Sequence, residues 1–235
     1  MKIQTTFKRY ELKYILESWQ KDIVLDEMKK YMKLDNFGRT TIRNIYFDTD
    51  DYRLIRHSIE KPKYKEKLRI RSYKQVNEYE NVFVELKKKY DGIVYKRRVV
   101  LPEKDVMNAF YINKPLPINS QIGNEIQYFR EYYKNLKPKV FLHYDREAYF
   151  SLDGSDFRIT FDENIQSRKY DISLQSELGG EYILDKNKTF MEVKTSEAIP
   201  LWLVRIFSEL NLYKTSYSKY GAAYKTDIYK LAGGF

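Results

Sequence analysis

The stretch 67-KLRIRSY-73 decides how this chain is read. Taken as an extended strand, it sends Arg69, Arg71 and Tyr73 to one side and Leu68, Ile70 and Ser72 to the other. Successive side chains of a strand point to opposite faces, so a half-buried strand shows one apolar face and one mixed polar face. Here the polar face carries arginines two residues apart. It is either a surface in water or the wall of an anion site, and one strand does not decide between them. The test is whether other strands repeat the pattern.

They do. In 7-FKRYELKY-14, Arg9, Glu11 and Lys13 share a face. In 82-VFVELKKK-89, Glu85 and Lys87 lie with Phe83, opposite Val82, Val84 and Leu86. Tyr144 and Arg146 share a face in 143-HYDREAYF-150. Arg158, Thr160 and Asp162 alternate with Phe157, Ile159 and Phe161, and Glu192 and Lys194 alternate with Met191 and Val193. In 95-YKRRVV-100 the phase stays open: either Lys96 and Arg98, or Tyr95 and Arg97, face together.

An antiparallel sheet with its charged face in water accounts for any one of these strands. The set points elsewhere, because Glu-x-Lys recurs at Glu11, Glu85 and Glu192 and arginines are spaced at Arg69 and Arg71. A sheet closed into a barrel, with a charged interior and helices over its apolar outside, satisfies the pattern. Like charges ~5 Å apart repel by about 1 kcal/mol in water and by several at an effective dielectric of ~20. A polyanion relieves that repulsion. Phosphate oxygens suit the arginine fork and the lysine point charge. The interleaved carboxylates neutralise part of the wall or hold a divalent metal that bridges phosphates.

Composition agrees with an anionic partner. Forty-three Lys and Arg stand against 33 Asp and Glu, for a net charge of +10. Hydrophobic residues make up 43% of the 235, with 23 Tyr and 13 Phe, enough for a sizeable core. Cysteine is absent, which excludes disulfides, thiolate metal sites and cysteine nucleophiles. The start of the chain has no signal-peptide pattern, and 199-IPLWLVRIF-207 is too short to span a bilayer. These features predict a soluble cytoplasmic protein. No Pro-, Gly- or Ser-rich linker divides the sequence, so residues 1–235 are expected to form one domain.

Strand patterns alternate with a few helical ones. Asp91-Gly92 marks the tip of a hairpin. Ser18 is the expected N-cap of a helix whose Trp19, Ile23 and Tyr31 lie near one face. A second helix over 125-EIQYFREYYKNLK-137 is expected to stop at Pro138, and a third opens at Pro200. Residues 171–188 read as an irregular hairpin. The fold class is α+β with a largely antiparallel sheet. His57 and His143 are expected to be structural, and 61-KPKYKEK-67 a solvated loop that guides a polyanion.

In chain order, RYELKY, YFDT, KLRIR, VELKKK with YKRR, YDREAYF with FRITFD, MEVK and SKY resemble the VTC domain over Phe7 to Tyr220. This is the polyphosphate-polymerase branch of the triphosphate tunnel metalloenzymes, related to the CYTH proteins. The resemblance implies a closed, antiparallel eight-stranded β-barrel tunnel with flanking helices. It implies transfer of the terminal phosphoryl group of ATP to a polyphosphate chain, with Mn²⁺ or Mg²⁺. Matched motif by motif, Lys13, Arg69, Arg71 and Glu192 are the implied catalytic residues. Lys87, Lys96, Arg98, Tyr144, Arg146, Arg158, Lys194 and Lys219 join Lys13, Arg69 and Arg71 as phosphate ligands. Glu192 is the implied metal ligand, with Glu11 and Glu85 as helpers. Arg9 replaces the first glutamate of the CYTH pattern E-x-E-x-K, which fits the VTC branch better than the hydrolase branch. The resemblance further implies that any membrane partner is a separate protein.

Two rivals stand beside this reading. With water as the acceptor, the same tunnel is a triphosphatase. A non-catalytic binder of polyphosphate or single-stranded nucleic acid also fits basic strands with interleaved aromatics. The regularly placed glutamates argue against nucleic acid.

Overall fold

Alternation along the strands bends one antiparallel sheet around its charged face. The structure, a computed structural model, describes residues 10–112 and 114–231; Arg9 lies outside them. The strands are β1 (Tyr10–Glu17), β2 (Met32–Leu34), β3 (Thr40–Asp48), β4 (Tyr64–Ser72), β5 (Asn81–Tyr90), β6 (Ile93–Pro102), β7 (Lys137–Ser151), β8 (Arg158–Arg168), β9 (Glu181–Tyr182) and β10 (Lys188–Thr195). The helices are α1 (Ser18–Met28), α2 (Arg53–Ile59), α3 (Glu103–Tyr111), α4 (Gln121–Tyr133), α5 (Leu201–Glu209) and α6 (Lys219–Leu231).

The main path runs β1-β10-β8-β7-β3-β4-β5-β6, with β2 added to β7 and β9 to β8. The closed eight-stranded barrel is not what forms. Among the described residues β1 and β6 are the free ends of a ten-stranded sheet, with no backbone ladder between them. Side chains and a loop span the gap instead. Lys87 Nζ of β5 lies 3.2 Å from the Glu11 carboxylate of β1, and the Thr215 N–H donates to the Lys13 carbonyl at 2.8 Å.

Apolar side chains on the convex face are covered by helices, as the alternation requires. Leu68, Ile70, Val82, Val84 and Leu86 pack with Val106, Phe110, Ile126 and Phe129 of α3 and α4. Leu16, Ile159, Phe161, Met191 and Val193 pack with Val24 and Met28 of α1 and with Leu203 and Phe207 of α5. The expectation that all helices lie outside fails for α2 and α6. Ile55 and Tyr220 pack with Ile42, Tyr46, Tyr144 and Phe190. These four belong to the lining of the concave side, so the two helices plug part of the curl.

Local expectations shift in instructive ways. Asp91 and Gly92 both take positive φ (44° and 83°), the geometry of a tight hairpin. The N-cap of α1 is Glu17 and not Ser18; Glu17 and Gln20 form a reciprocal capping box. The face of α1 is also different: Trp19, Ile23 and Tyr31 are exposed, while Val24 and Met28 are buried. Helix α4 ends at Tyr133, short of Pro138, because Lys134 and Asn135 take positive φ (46° and 48°), which a right-handed helix does not allow. Pro138 lies inside β7 and pairs with Phe47 of β3. Of the lysine-rich 61–67 segment, Tyr64 to Lys67 belong to β4. The 171–188 region holds only the short β9 before β10.

Candidate functional site

Parity and register together build the concave wall. On one flank, β4 and β5 set Lys65 beside Lys89, Lys67 beside Lys87, Arg69 beside Glu85 and Arg71 beside Phe83. β5 then sets Lys87 beside Lys96 and Glu85 beside Arg98 on β6. On the other flank, β1 and β10 set Glu11 beside Lys194 and Lys13 beside Glu192. β8 adds Arg158 beside Lys194 and Thr160 beside Glu192. The cavity on the concave side measures about 2400 Å³.

Of the residues assigned from sequence, Lys13, Arg69, Arg71, Lys87, Lys96, Arg98, Tyr144, Arg146, Arg158, Lys194, Lys219, Glu11 and Glu192 line this cavity. The open phase of β6 resolves to Lys96 and Arg98. Arg97 points out and donates to Glu125 of α4 at 3.1 Å. Glu85 is different. It is 1% exposed and sits behind the cations, where Arg69 Nε donates at 2.9 Å, Arg98 Nε at 2.7 Å and Lys96 Nζ at 2.7 Å. Burial pushes the Glu85 carboxyl up, but Arg69, Arg71, Lys96 and Arg98 outweigh it and hold it well below the carboxylate range. It anchors cations from behind and, unlike Glu11 and Glu192, does not line the cavity.

The arginines are held from behind before any ligand arrives. Arg69 Nη1 donates to the Tyr46 hydroxyl at 3.0 Å. Arg71 donates to Asn44 Oδ1 at 2.9 Å and to the Tyr144 hydroxyl at 3.1 Å. Arg146 makes a bidentate pair with Asp162 at 2.6 and 2.7 Å, and Lys219 Nζ reaches the same carboxylate at 2.5 Å. Asp162 is fully buried; burial raises its pKa, and Arg146 and Lys219 bring it below the ordinary value. Sequence parity had put Asp162 on the charged face without giving it a role. Asn44 and Tyr46 were missed because the face of β3 that they share carries no cation. Lys65 and Lys67 were missed although they share the parity of Arg69.

Electrostatics separates the two flanks. Burial pushes the Glu11 carboxyl up, yet Lys87 and Lys13 hold it at about 2 despite the opposing charge of Glu192. Glu192 is held well below its ordinary value: burial opposes this, and Lys194, Lys219, Arg146 and Lys13 prevail. On the other flank, burial and then Lys13, Lys87, Lys65 and Arg69 push the Lys67 ammonium down to about 7. Lys96 also falls to about 7, through burial and Arg69 and Arg98, with Glu85 pulling the other way. His143 lies on the other side of the sheet, where its Nε2 accepts from the Gly179 N–H at 3.2 Å. His57 Nε2 lies 3.1 Å from the Tyr64 carbonyl on an exposed surface.

Among the described residues no three of His, Cys, Asp and Glu converge. Glu11 and Glu192, on adjacent strands, are the carboxylates that face the cavity together. Mg²⁺ and similar hard cations are commonly held by one or two carboxylates, with phosphate and water oxygens completing the shell. The donor set therefore fits a substrate-bridged divalent ion and does not fit an all-protein cage. No helix among the described residues is long and apolar enough to cross a membrane.

Comparisons with known proteins bear on the fold and the family. A Hippeastrum protein, a candidate adenylyl cyclase with a dominant triphosphatase activity, superposes with a TM-score of 0.54 at 15% identity, covering 90% of this chain and 93% of its own. It has the same fold. A candidate adenylate cyclase from Bacillus halodurans matches with a TM-score of 0.49 at 14% identity, covering 99% of this chain and 93% of that one. A comparison with curated protein sequences gives no match. The VTC domain model matches residues 8–227.

Proposed function

Because the chain belongs to the VTC domain family, we propose that it transfers the terminal phosphoryl group of ATP onto a polyphosphate chain inside this cavity. The observation that carries this reading is the convergence of Lys13, Lys67, Lys87, Arg69, Arg71 and Arg146 on one concave cavity. Such a wall is self-repelling unless a polyanion occupies it.

Phosphoryl transfer asks a protein mainly for in-line positioning and charge stabilisation. Arg69, Arg71 and Arg146 grip the triphosphate with guanidinium groups already fixed by Glu85, Tyr46, Asn44, Tyr144 and Asp162. Little side-chain freedom is left to lose on binding, and their charge is aimed where negative charge shifts during transfer. Lys13, Lys194 and Arg158 contact the phosphates from the opposite flank. Glu192 and Glu11 would hold a Mn²⁺ or Mg²⁺ ion, which when bound supplies charge neutralisation of the phosphate oxygens. Lys67, Lys87 and Lys96 bind successive phosphates of the acceptor chain.

With water in the acceptor position, the same residues give a triphosphatase, the activity reported for the Hippeastrum relative. Products distinguish the two. Incubation with ATP and Mn²⁺ followed by ³¹P NMR is expected to show a mid-chain polyphosphate signal. Orthophosphate with no chain signal would assign water as the acceptor, and unchanged ATP would defeat the enzyme reading.

A further inference from the structure

The cavity holds a hydroxyl beside a lysine that the scheme above leaves without a chemical role. Residues Thr215 to Ser218 run along the wall and are stitched to it. The Thr215 N–H bonds the Lys13 carbonyl at 2.8 Å, Lys13 Nζ donates to the Tyr217 carbonyl at 3.4 Å, and the Tyr217 hydroxyl donates to the Ile183 carbonyl at 2.9 Å. These bonds fix Ser218 at the start of α6. Its Oγ lies 3.0 Å from Lys67 Nζ and accepts from the Gly221 N–H at 3.3 Å.

The surroundings of Lys67 are cationic. Lys13 faces it from β1, Lys87 from β5, and Lys65 and Arg69 flank it on β4. The Tyr220 ring of α6 lies 6.0 Å from its ammonium. A lysine so placed gives up its proton near neutrality. A serine hydroxyl within hydrogen-bond reach of such a base is an activated nucleophile.

We propose that Ser218 is itself a phosphoryl acceptor, taking the γ-phosphoryl group of the bound nucleoside triphosphate when no polyphosphate chain fills the cavity. This rests on the reading that the cavity binds a nucleoside triphosphate. In the step, Ser218 Oγ bonds to the γ-phosphorus and the bond from that phosphorus to the β,γ-bridging oxygen breaks. The nucleoside diphosphate leaves with the electron pair, and the hydroxyl proton passes to the neutral amine of Lys67. The product carries about two negative charges. It lies against the newly charged Lys67, beside Lys13 and Lys87 and the first-turn N–H groups of α6. There it takes the place of an internal phosphate of the chain, so the modified protein binds polyphosphate more weakly.

The test is to incubate the full chain with ATP and Mg²⁺ without polyphosphate, quench in acid, and map phosphorylated peptides by mass spectrometry. ATP consumption is followed in the same tube. The expected result is a single phosphoryl group on Ser218, absent in Ser218→Ala and present on the new hydroxyl in Ser218→Thr. Lys67→Arg keeps charge and donor but offers no base near neutrality, so labelling slows on the order of 10²-fold. In the wild type the initial labelling rate rises with pH through 7 and on above it, because burial and the neighbouring cations bring the Lys67 ammonium of the free protein to about 7 and the bound triphosphate moves its neutralisation to higher pH. ATP consumption with no phosphate on residue 218, or with phosphate elsewhere, overturns the proposal while leaving the functional reading in place. ATP neither bound nor consumed overturns both.

Discussion

The two flanks of the cavity are made by the same strand alternation, yet their cations are neutralised to different degrees. On the β1, β10, β8 and β7 flank, cations have carboxylate partners: Lys13 with Glu11 at 3.3 Å, Lys194 with Glu192 at 2.8 Å, Arg146 with Asp162 at 2.6 Å. On the β4 and β5 flank, Lys65 faces Lys89 and Lys67 faces Lys87. Directly opposed like charges destabilise a sheet. The first flank is thus paired in advance, whereas on the second the arginines are fixed by Glu85, Tyr46, Asn44 and Tyr144 and the lysine rows leave positive charge over for an anion. The difference separates a positioning surface from a binding surface within one fold.

Mutations break this contrast with graded effect. Arg69→Ala removes a guanidinium that meets the phosphates, and turnover of ATP is expected to fall by about 10²–10³-fold. Glu85 keeps Arg98 and Lys96, so near-UV circular dichroism should show the fold retained; near-normal turnover would place the phosphates elsewhere. Glu192→Gln acts on the carboxylate flank. It is expected to raise the half-saturating metal concentration by roughly 10–100-fold, read from activity against Mn²⁺ or Mg²⁺ concentration.

pH separates the flanks without mutation. Lys67 and Lys96 have folded-state values near 7 against an ordinary 10.5. Their penalty is fully present below about 7 and is relieved as pH rises from there towards the ordinary lysine range, because only the unfolded chain then holds the proton. Thermal stability of the free protein should therefore carry a contribution that rises with pH above 7. Affinity for inorganic triphosphate should fall over the same range, since a bound anion favours the charged lysines. Lys67→Met should flatten both trends.

The smallest effect is expected at Arg97, whose guanidinium turns to Glu125 of α4. Arg97→Ala loses a partly exposed pair with Glu125, worth about 0–1 kcal/mol, and turnover should stay near that of the wild type. Arg98→Ala, one residue away, should reduce turnover sharply. Equal effects in the two variants would mean that the phase of β6 is irrelevant to function.

Parity made much of this legible in the sequence. Alternation alone put Glu11, Lys13, Arg69, Arg71, Arg146, Arg158, Glu192 and Lys194 on charged faces, and all of them line the cavity. It left β6 undecided because Lys96, Arg97 and Arg98 are all cationic; only Glu85 inside and Glu125 outside settle the phase. It offered Glu85 as a metal helper because burial behind three cations is a property of register between strands and not of one strand. The closed barrel was over-read for a related reason. Local alternation specifies which face is concave, but closure depends on whether β1 and β6 meet, which is a sum over the twist of the whole sheet. The plug by α2 and α6 was hidden because Asp48 ties them together across the chain, accepting from the Leu54 and Ile55 N–H groups and from the Tyr220 hydroxyl.

The most direct test of the contrast is calorimetric titration of inorganic triphosphate into the protein with Mg²⁺ at pH 7, in two buffers of different ionisation enthalpy. Saturable binding accompanied by net proton uptake is the predicted result, because Lys67 and Lys96 recharge as the anion arrives. Absence of saturable binding, or binding with no proton exchange, would contradict the assignment of the lysine flank as the phosphate-binding surface.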